Sequence, residues 1–165
     1  MNTDAPTQTT KPKRVRSFPK EWGVVSLREC PQPESMMRVT SPDAAVHYWR
    51  QHVAPSPAFN ADCEYVVVLL LNVRLRVRGH HVLSMGGLSE APVHPRECFR
   101  VAVLAAAHAI VLMHNHPSGE PDPSNSDQQL TQRIRDAGRV LGIQLHDHVI
   151  VGHNLYFSFK EAGLL

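Results

Sequence analysis

Apolar residues in this chain come in short dense runs separated by proline, glycine and charge. The densest, Cys63 to Asn72, is β-branched and aliphatic almost throughout, which predicts a central strand covered on both faces. Arg74, Arg76 and Arg78 then alternate with Leu75 and Val77, the period of a strand with one wet face, so the two runs predict a hairpin. Upstream, Ser41, Pro42 and Asp43 read as the N-cap, N1 proline and acidic first turn of a helix that reaches about Val53 and packs Ala45, Trp49 and Val53. Pro55 and Pro57 end it. Pro95, with Glu97 in the first turn, predicts a second helix to about Ala107, and Ile110 to His116 a strand halted by Pro117. Leu130, Ile134, Ala137 and Leu141 fall at helical spacing. Leu145 to Val151 and Leu155 to Phe159 read as strands on either side of a turn at Gly152 to Asn154. Ahead of all this, Trp22 to Arg38 is irregular, with a short strand expected around Val24 to Leu27. The order predicts an α/β or α+β domain in which helices flank a mixed β-sheet.

With 165 residues, 42% of them apolar and 19% charged, there is material for one domain with a buried core. Residues 21–165 are expected to form it, and residues 1–20, rich in Thr, Pro and Lys, to be a disordered basic tail. That tail carries +4 of the formal net charge of +2, which leaves −2 on the body. A body of that charge does not support DNA association. No apolar run spans a bilayer, and the absence of a signal-like h-region points to the cytoplasm. Cys30, Cys63 and Cys98 are odd in number and far apart, which fits separate thiols better than a disulfide framework.

Eleven histidines are the unusual number, and two of them stand where chemistry is expected. His114 and His116 are two apart at a strand end, so the period of 2 turns both imidazoles to one face while Asn115 points away. The loop 117–126 is long enough to bring Asp127, at the start of the next helix, back over that strand end. Two nitrogens and one carboxylate would leave a fourth position on a tetrahedral Zn²⁺ open for water, the pattern of a catalytic site. A carboxylate must still shuttle the proton, and Glu64, opening the long apolar strand, is the candidate, with Glu90 and Glu97 as rivals. Ser124 and Asp127 also make an S-x-x-D capping box, compatible with the ligand reading. His146 and His148 would share a strand face from which an imidazole can orient a metal ligand, and Asp147 would face the other way. His80 and His81 read as surface residues near a hairpin turn, His108 as a lone histidine of an apolar helix, and Arg96 as half of a surface ion pair.

The series His114-Asn115-His116-Pro117, Ser124, Asp127 resembles the H-x-H-P-x6-S-x2-D pattern of JAMM (JAB/MPN+) metalloproteases. It is most similar to the RadC-like branch, through His116-Pro117-Ser118-Gly119, Val93-His94-Pro95-Arg96-Glu97 and Asp147-His148-Val149-Ile150-Val151. The resemblance runs from about Glu64 to the C-terminus. It implies an MPN/JAB (cytidine-deaminase-like) architecture, zinc held by His114, His116 and Asp127, Glu64 as general acid/base, and Ser124 as hydrogen-bond donor to the developing oxyanion. The implied reaction is hydrolysis of a peptide or isopeptide bond. RadC-like proteins usually begin with a helix-hairpin-helix DNA-binding region, for which this chain offers no room. The alternative is a non-catalytic module that keeps the metal and recruits a protein or DNA partner.

Overall fold

The structure, a computed structural model, describes residues 37–86 and 93–165. The expected tail, the strand at Val24 to Leu27, Cys30 and Glu90 lie outside the described residues. The continuous run Tyr65–Leu71 forms β1, and Ala109–Asn115 forms β3; every residue of both strands is buried. This is why neither run alternates: helices cover the sheet on both sides. Five strands stand in the order β2-β1-β3-β4-β5, with β2 at Val77–Met85, β4 at Gln144–Val151 and β5 at Tyr156–Ser158. Only β3 and β4 are parallel, and the helix Asn125–Leu141, α3, is their crossover.

One face of the sheet carries Val67, Leu69, Val111, Met113, Val149 and Val151, and packs against the helix Pro42–Tyr48, α1, and the π-helical turn Trp49–Val53 that follows it. The other carries Val66, Val68, Leu70, Ile110 and Leu112 against α3 and the helix Pro95–Leu104, α2, through Phe99, Ala102, Leu130 and Ile134. The product is three layers, α1 on one side and α2 with α3 on the other, an α+β domain as expected. Ser41 caps α1 by accepting the Ala44 N–H, and α3 ends on Gly142 in the left-handed conformation, φ 68°. Among the described residues no helix is long and apolar enough to cross a membrane.

Three expectations need correction. The first helix stops at Tyr48 and continues to Val53 only as the π turn, where the Ala54 N–H reaches the Trp49 carbonyl. The second strand of the hairpin starts at Val77 and not at Arg74, because the Asn72 side chain accepts the N–H groups of Arg74 and Arg76 and turns that segment into the connection. His80 and His81 therefore sit in mid-strand, and His80 is half-buried with Nδ1 2.9 Å from the Tyr48 hydroxyl. His108 follows α2 in an exposed bend, its N–H bonded to the Leu71 carbonyl.

Candidate metal centre

The site forms at the carboxyl end of β3, the central strand, where the chain leaves the sheet and returns through α3. Open α/β sheets place ligand sites at such ends. His114 belongs to the face shared with α3 and is only 1% exposed. His116, one step beyond the strand, points the same way: its Nε2 is 3.1 Å from His114 Nε2. Asp127 closes the triangle from the first turn of α3, with Oδ1 3.2 Å from His114 Nε2 and Oδ2 3.6 Å from His116 Nε2. One donor atom from each residue lies within 4.8 Å of the others, so the three could hold a metal ion together.

The helix start explains why Asp127 is there. Ser124 is its N-cap: the Ser124 Oγ accepts the Asp127 N–H at 3.2 Å, and the Asp127 carboxylate accepts the Ser124 N–H at 2.8 Å and its hydroxyl at 2.5 Å. The S-x-x-D pattern thus caps the helix and fixes the carboxylate at once. Burial alone would raise the Asp127 carboxyl, but hydrogen bonds from His114, His116 and Ser124 and the charge on His114 hold it well below the usual carboxylate range. His116 is raised above its ordinary value, chiefly by its hydrogen bond to Asp127, against burial and helped by the Glu120 carbonyl and the charges of Asp127 and Glu64.

Each of the two histidines is also held from behind. His116 Nδ1 donates to the Glu120 carbonyl at 2.8 Å, so the neutral ring turns a free Nε2 toward the centre, and the protonated ring donates from Nε2 to Asp127. His114 Nδ1 lies 3.0 Å from Nε2 of His148, a fully buried ring stacked on Phe159 at 4.7 Å. His148 Nδ1 in turn meets the Thr131 hydroxyl of α3 at 2.6 Å. Burial holds His148 well below the ordinary histidine range, with the charge of His114 acting the same way. The expectation that His146 shares this role fails. A bulge in β4, where Ile110 pairs with Leu145 but Val111 with Asp147, inserts His146 as an extra residue and turns it away toward Lys160. Asp147 does face the other side, where its carboxylate accepts the Ser158 hydroxyl and the N–H groups of His148 and Lys160.

Asn115, expected only to point away, has a definite task. Its side-chain oxygen accepts the Tyr65 N–H and its amide donates to the Cys63 carbonyl, both at 3.0 Å. These groups flank Glu64. The ladder between β1 and β3 ends at Val66 opposite His114, and the Asn115 amide takes over where the backbones part. Continuing that register by two residues sets Glu64 opposite His116 on the same face, and the Glu64 charge accordingly helps to raise His116. The rival Glu97 is engaged elsewhere, accepting the His94 N–H as part of the α2 cap. Arg96 is exposed in the first turn of that helix. The H-P-S-G segment after β3 is latched to the β4–β5 turn by the bond from His153 N–H to the Gly119 carbonyl. Gly119 has φ 83°, and a Cβ on it would lie 2.5 Å from His153 Nδ1, so the latch needs glycine.

Comparison with known proteins agrees with this geometry. A family model described as "RadC-like JAB domain" matches residues 39–164. Similar curated proteins carry the name UPF0758 protein. One from Desulfitobacterium hafniense is 47% identical over 104 residues, 63% of this chain and 46% of its own length. One from Symbiobacterium thermophilum is 40% identical over 141 residues, 86% of this chain and 58% of its own. One from Rubrobacter xylanophilus is 49% identical over 106 residues, 64% and 46% respectively. The chain spans about half the length of the curated relatives it matches. With the His-x-His-Pro strand end, the capped aspartate and the sheet order all present in one matched segment, the chain belongs to the RadC-like JAB domain family.

Proposed function

We propose that this domain is a zinc-dependent hydrolase that cleaves a peptide or isopeptide bond. One observation carries the reading. The Asp127 carboxylate and Nε2 of His116 converge with His114 Nε2 within 3.1–3.6 Å, so that two imidazole nitrogens and a carboxylate face one point. In the metal-free protein a shared proton bridges the imidazoles and the carboxylate, and a divalent cation would occupy the same place with a larger charge. Two imidazoles and one carboxylate suit zinc, and three protein ligands leave room for a water or a substrate. A zinc ion held by His114, His116 and Asp127 would supply Lewis acidity and lower the pKa of its water to roughly 7.

The remaining work belongs to the chain. Glu64, half-buried and on the same face as His116, takes the proton from the attacking water and returns it to the leaving nitrogen. Asn115 holds the two peptide groups beside Glu64, so the carboxylate need not be ordered during turnover. Ser124, exposed at the mouth, turns its hydroxyl from Asp127 to the oxyanion as charge develops there. The peptide or isopeptide substrate is what the resemblance to JAMM metalloproteases implies, and a general acid at this place suits the proton that a leaving amine needs.

Glu64→Gln tests the proposal. Zinc content should match the parent, while turnover of an amide and isopeptide peptide panel falls about 10²–10⁴-fold. Equal turnover would remove Glu64 from the mechanism. His114→Ala combined with Asp127→Ala should abolish stoichiometric zinc, and full retention would show that the ion sits elsewhere. A parent that binds zinc but cleaves nothing in the panel would favour the non-catalytic module.

A further inference from the structure

We propose that Thr131 and His148 are positioning residues that fix the tautomer and ring orientation of His114, so that the protein backbone of α3 decides which His114 nitrogen faces the metal. The inference deepens the zinc reading and uses residues that the H-x-H-P-x6-S-x2-D pattern leaves out. It follows from counting hydrogens. The Thr131 hydroxyl has one, and it goes to the Asp127 carbonyl at 2.6 Å, the helical i−4 bond of a threonine. Thr131 Oγ can therefore meet His148 Nδ1, 2.6 Å away, only as an acceptor, and Nδ1 must carry a proton.

The other ring nitrogen is then settled. His148 is 0% exposed, with Phe159 stacked on its face and a hydroxyl and an imidazole as its hydrogen-bond partners, so a charged ring would lie in an apolar layer with no carboxylate in hydrogen-bond contact. Neutral and protonated at Nδ1, His148 presents a bare Nε2 to His114 Nδ1 at 3.0 Å. His114 Nδ1 must donate, so in the neutral ring Nε2 keeps its lone pair and faces Asp127 and His116, the position where a proton or a metal would bind. The relay begins and ends on one residue: Asp127 offers its carbonyl to Thr131 and its carboxylate to the ion. Its helical turn thus supplies one ligand and orients another. Thr131 is buried at 2% and sits one turn after Asp127, so both ends of the relay move as one body.

Two measurements on the full chain test this. Histidine ¹⁵N–¹H correlation spectra of the metal-free parent should show His148 as the Nδ1–H tautomer; an Nε2–H His148 would overturn the relay, whether or not the protein binds zinc. Zn²⁺ affinity, read by competition with a chromophoric chelator, should weaken about 10- to 100-fold in Thr131→Val, which keeps the shape but removes the acceptor. Thr131→Ser, which restores the hydroxyl, should return to within about threefold of the parent. Parent-like zinc affinity in Thr131→Val would refute the positioning role. If the parent itself binds no Zn²⁺, the metal reading falls, while the tautomer of His148 still decides the relay.

Discussion

Replacing Asn115 separates a structural reading of the His-Asn-His segment from a merely spatial one. Its amide makes two hydrogen bonds at 3.0 Å, a buried one accepted from Tyr65 N–H and a partly buried one donated to the Cys63 carbonyl. Each such bond contributes about 0.5–1.5 kcal/mol net, and a buried group left without a partner costs about 1–3 kcal/mol. Tyr65 is buried and Cys63 half-buried, so Asn115→Ala should cost about 2–3 kcal/mol, a fall in Tm on the order of 8 °C. Asn115→Asp is the sharper variant. It keeps the acceptor for Tyr65 but turns an oxygen toward the Cys63 carbonyl, and it buries a charge among the peptide groups that flank Glu64. At pH 8 it should therefore be less stable than Asn115→Ala. Protonation of the introduced carboxyl restores a donor, so its folded-state pKa is raised and its stability recovers as the pH falls toward 4. Urea unfolding followed by tryptophan fluorescence measures both, with an unchanged m-value showing that the comparison is of native states. Asn115→Asp as stable as the parent at pH 8 would refute the clamp.

In the metal-free protein His116 has a raised pKa, from its hydrogen bond to Asp127 first, so its contribution to stability is full below the unfolded value near 6.5 and is lost as the pH rises through the folded value. Thermal melts without metal should thus show stability falling from about pH 6 to 8, and added Zn²⁺ should reverse the slope because protons no longer compete for the ligand; the same slope with and without zinc would contradict the ligand role of His116. The Cys98 thiol is fully buried and pushed up to about 12, whereas Cys63 is half-buried. Iodoacetamide at pH 8 should modify Cys63 in the native protein and Cys98 only after denaturation, as peptide mapping would record.

Much of the fold could be read because its strongest signals are local. Tyr65–Leu71 and Ala109–Asn115 are unbroken apolar runs whose full burial demands cover on both faces, and Ser124 with Asp127 marks a helix start by spacing alone. The candidate triad was legible for the same reason: two histidines at period 2 and an aspartate at a cap need only local geometry to converge. What escaped depends on contacts between distant residues. Asn115 acts on a segment 50 residues away, and Thr131 on a strand 17 residues on, neither of which leaves a periodic trace. The bulge at His146 is an insertion into one strand that only its pairing with β3 reveals. The arginine alternation at 74–78 imitated a strand because the side chain of Asn72, and not the residues themselves, decides where the turn lies.

The three donors around the centre are not equally anchored. Two arrive on or just beyond β3, which is bonded to neighbours along both edges, whereas Asp127 arrives on the opening turn of a helix whose first N–H groups rely on Ser124. Strand interiors open only with the whole sheet, while helix ends fray on their own. A cation held by all three would therefore be released first from the carboxylate, as the Ser124 cap unfastens, with the imidazole pair left standing to receive the next ion. Escape rate and global unfolding would then be separate quantities: loss of the serine hydroxyl costs the fold about 1 kcal/mol through the cap, and removes the carboxylate's fastening outright.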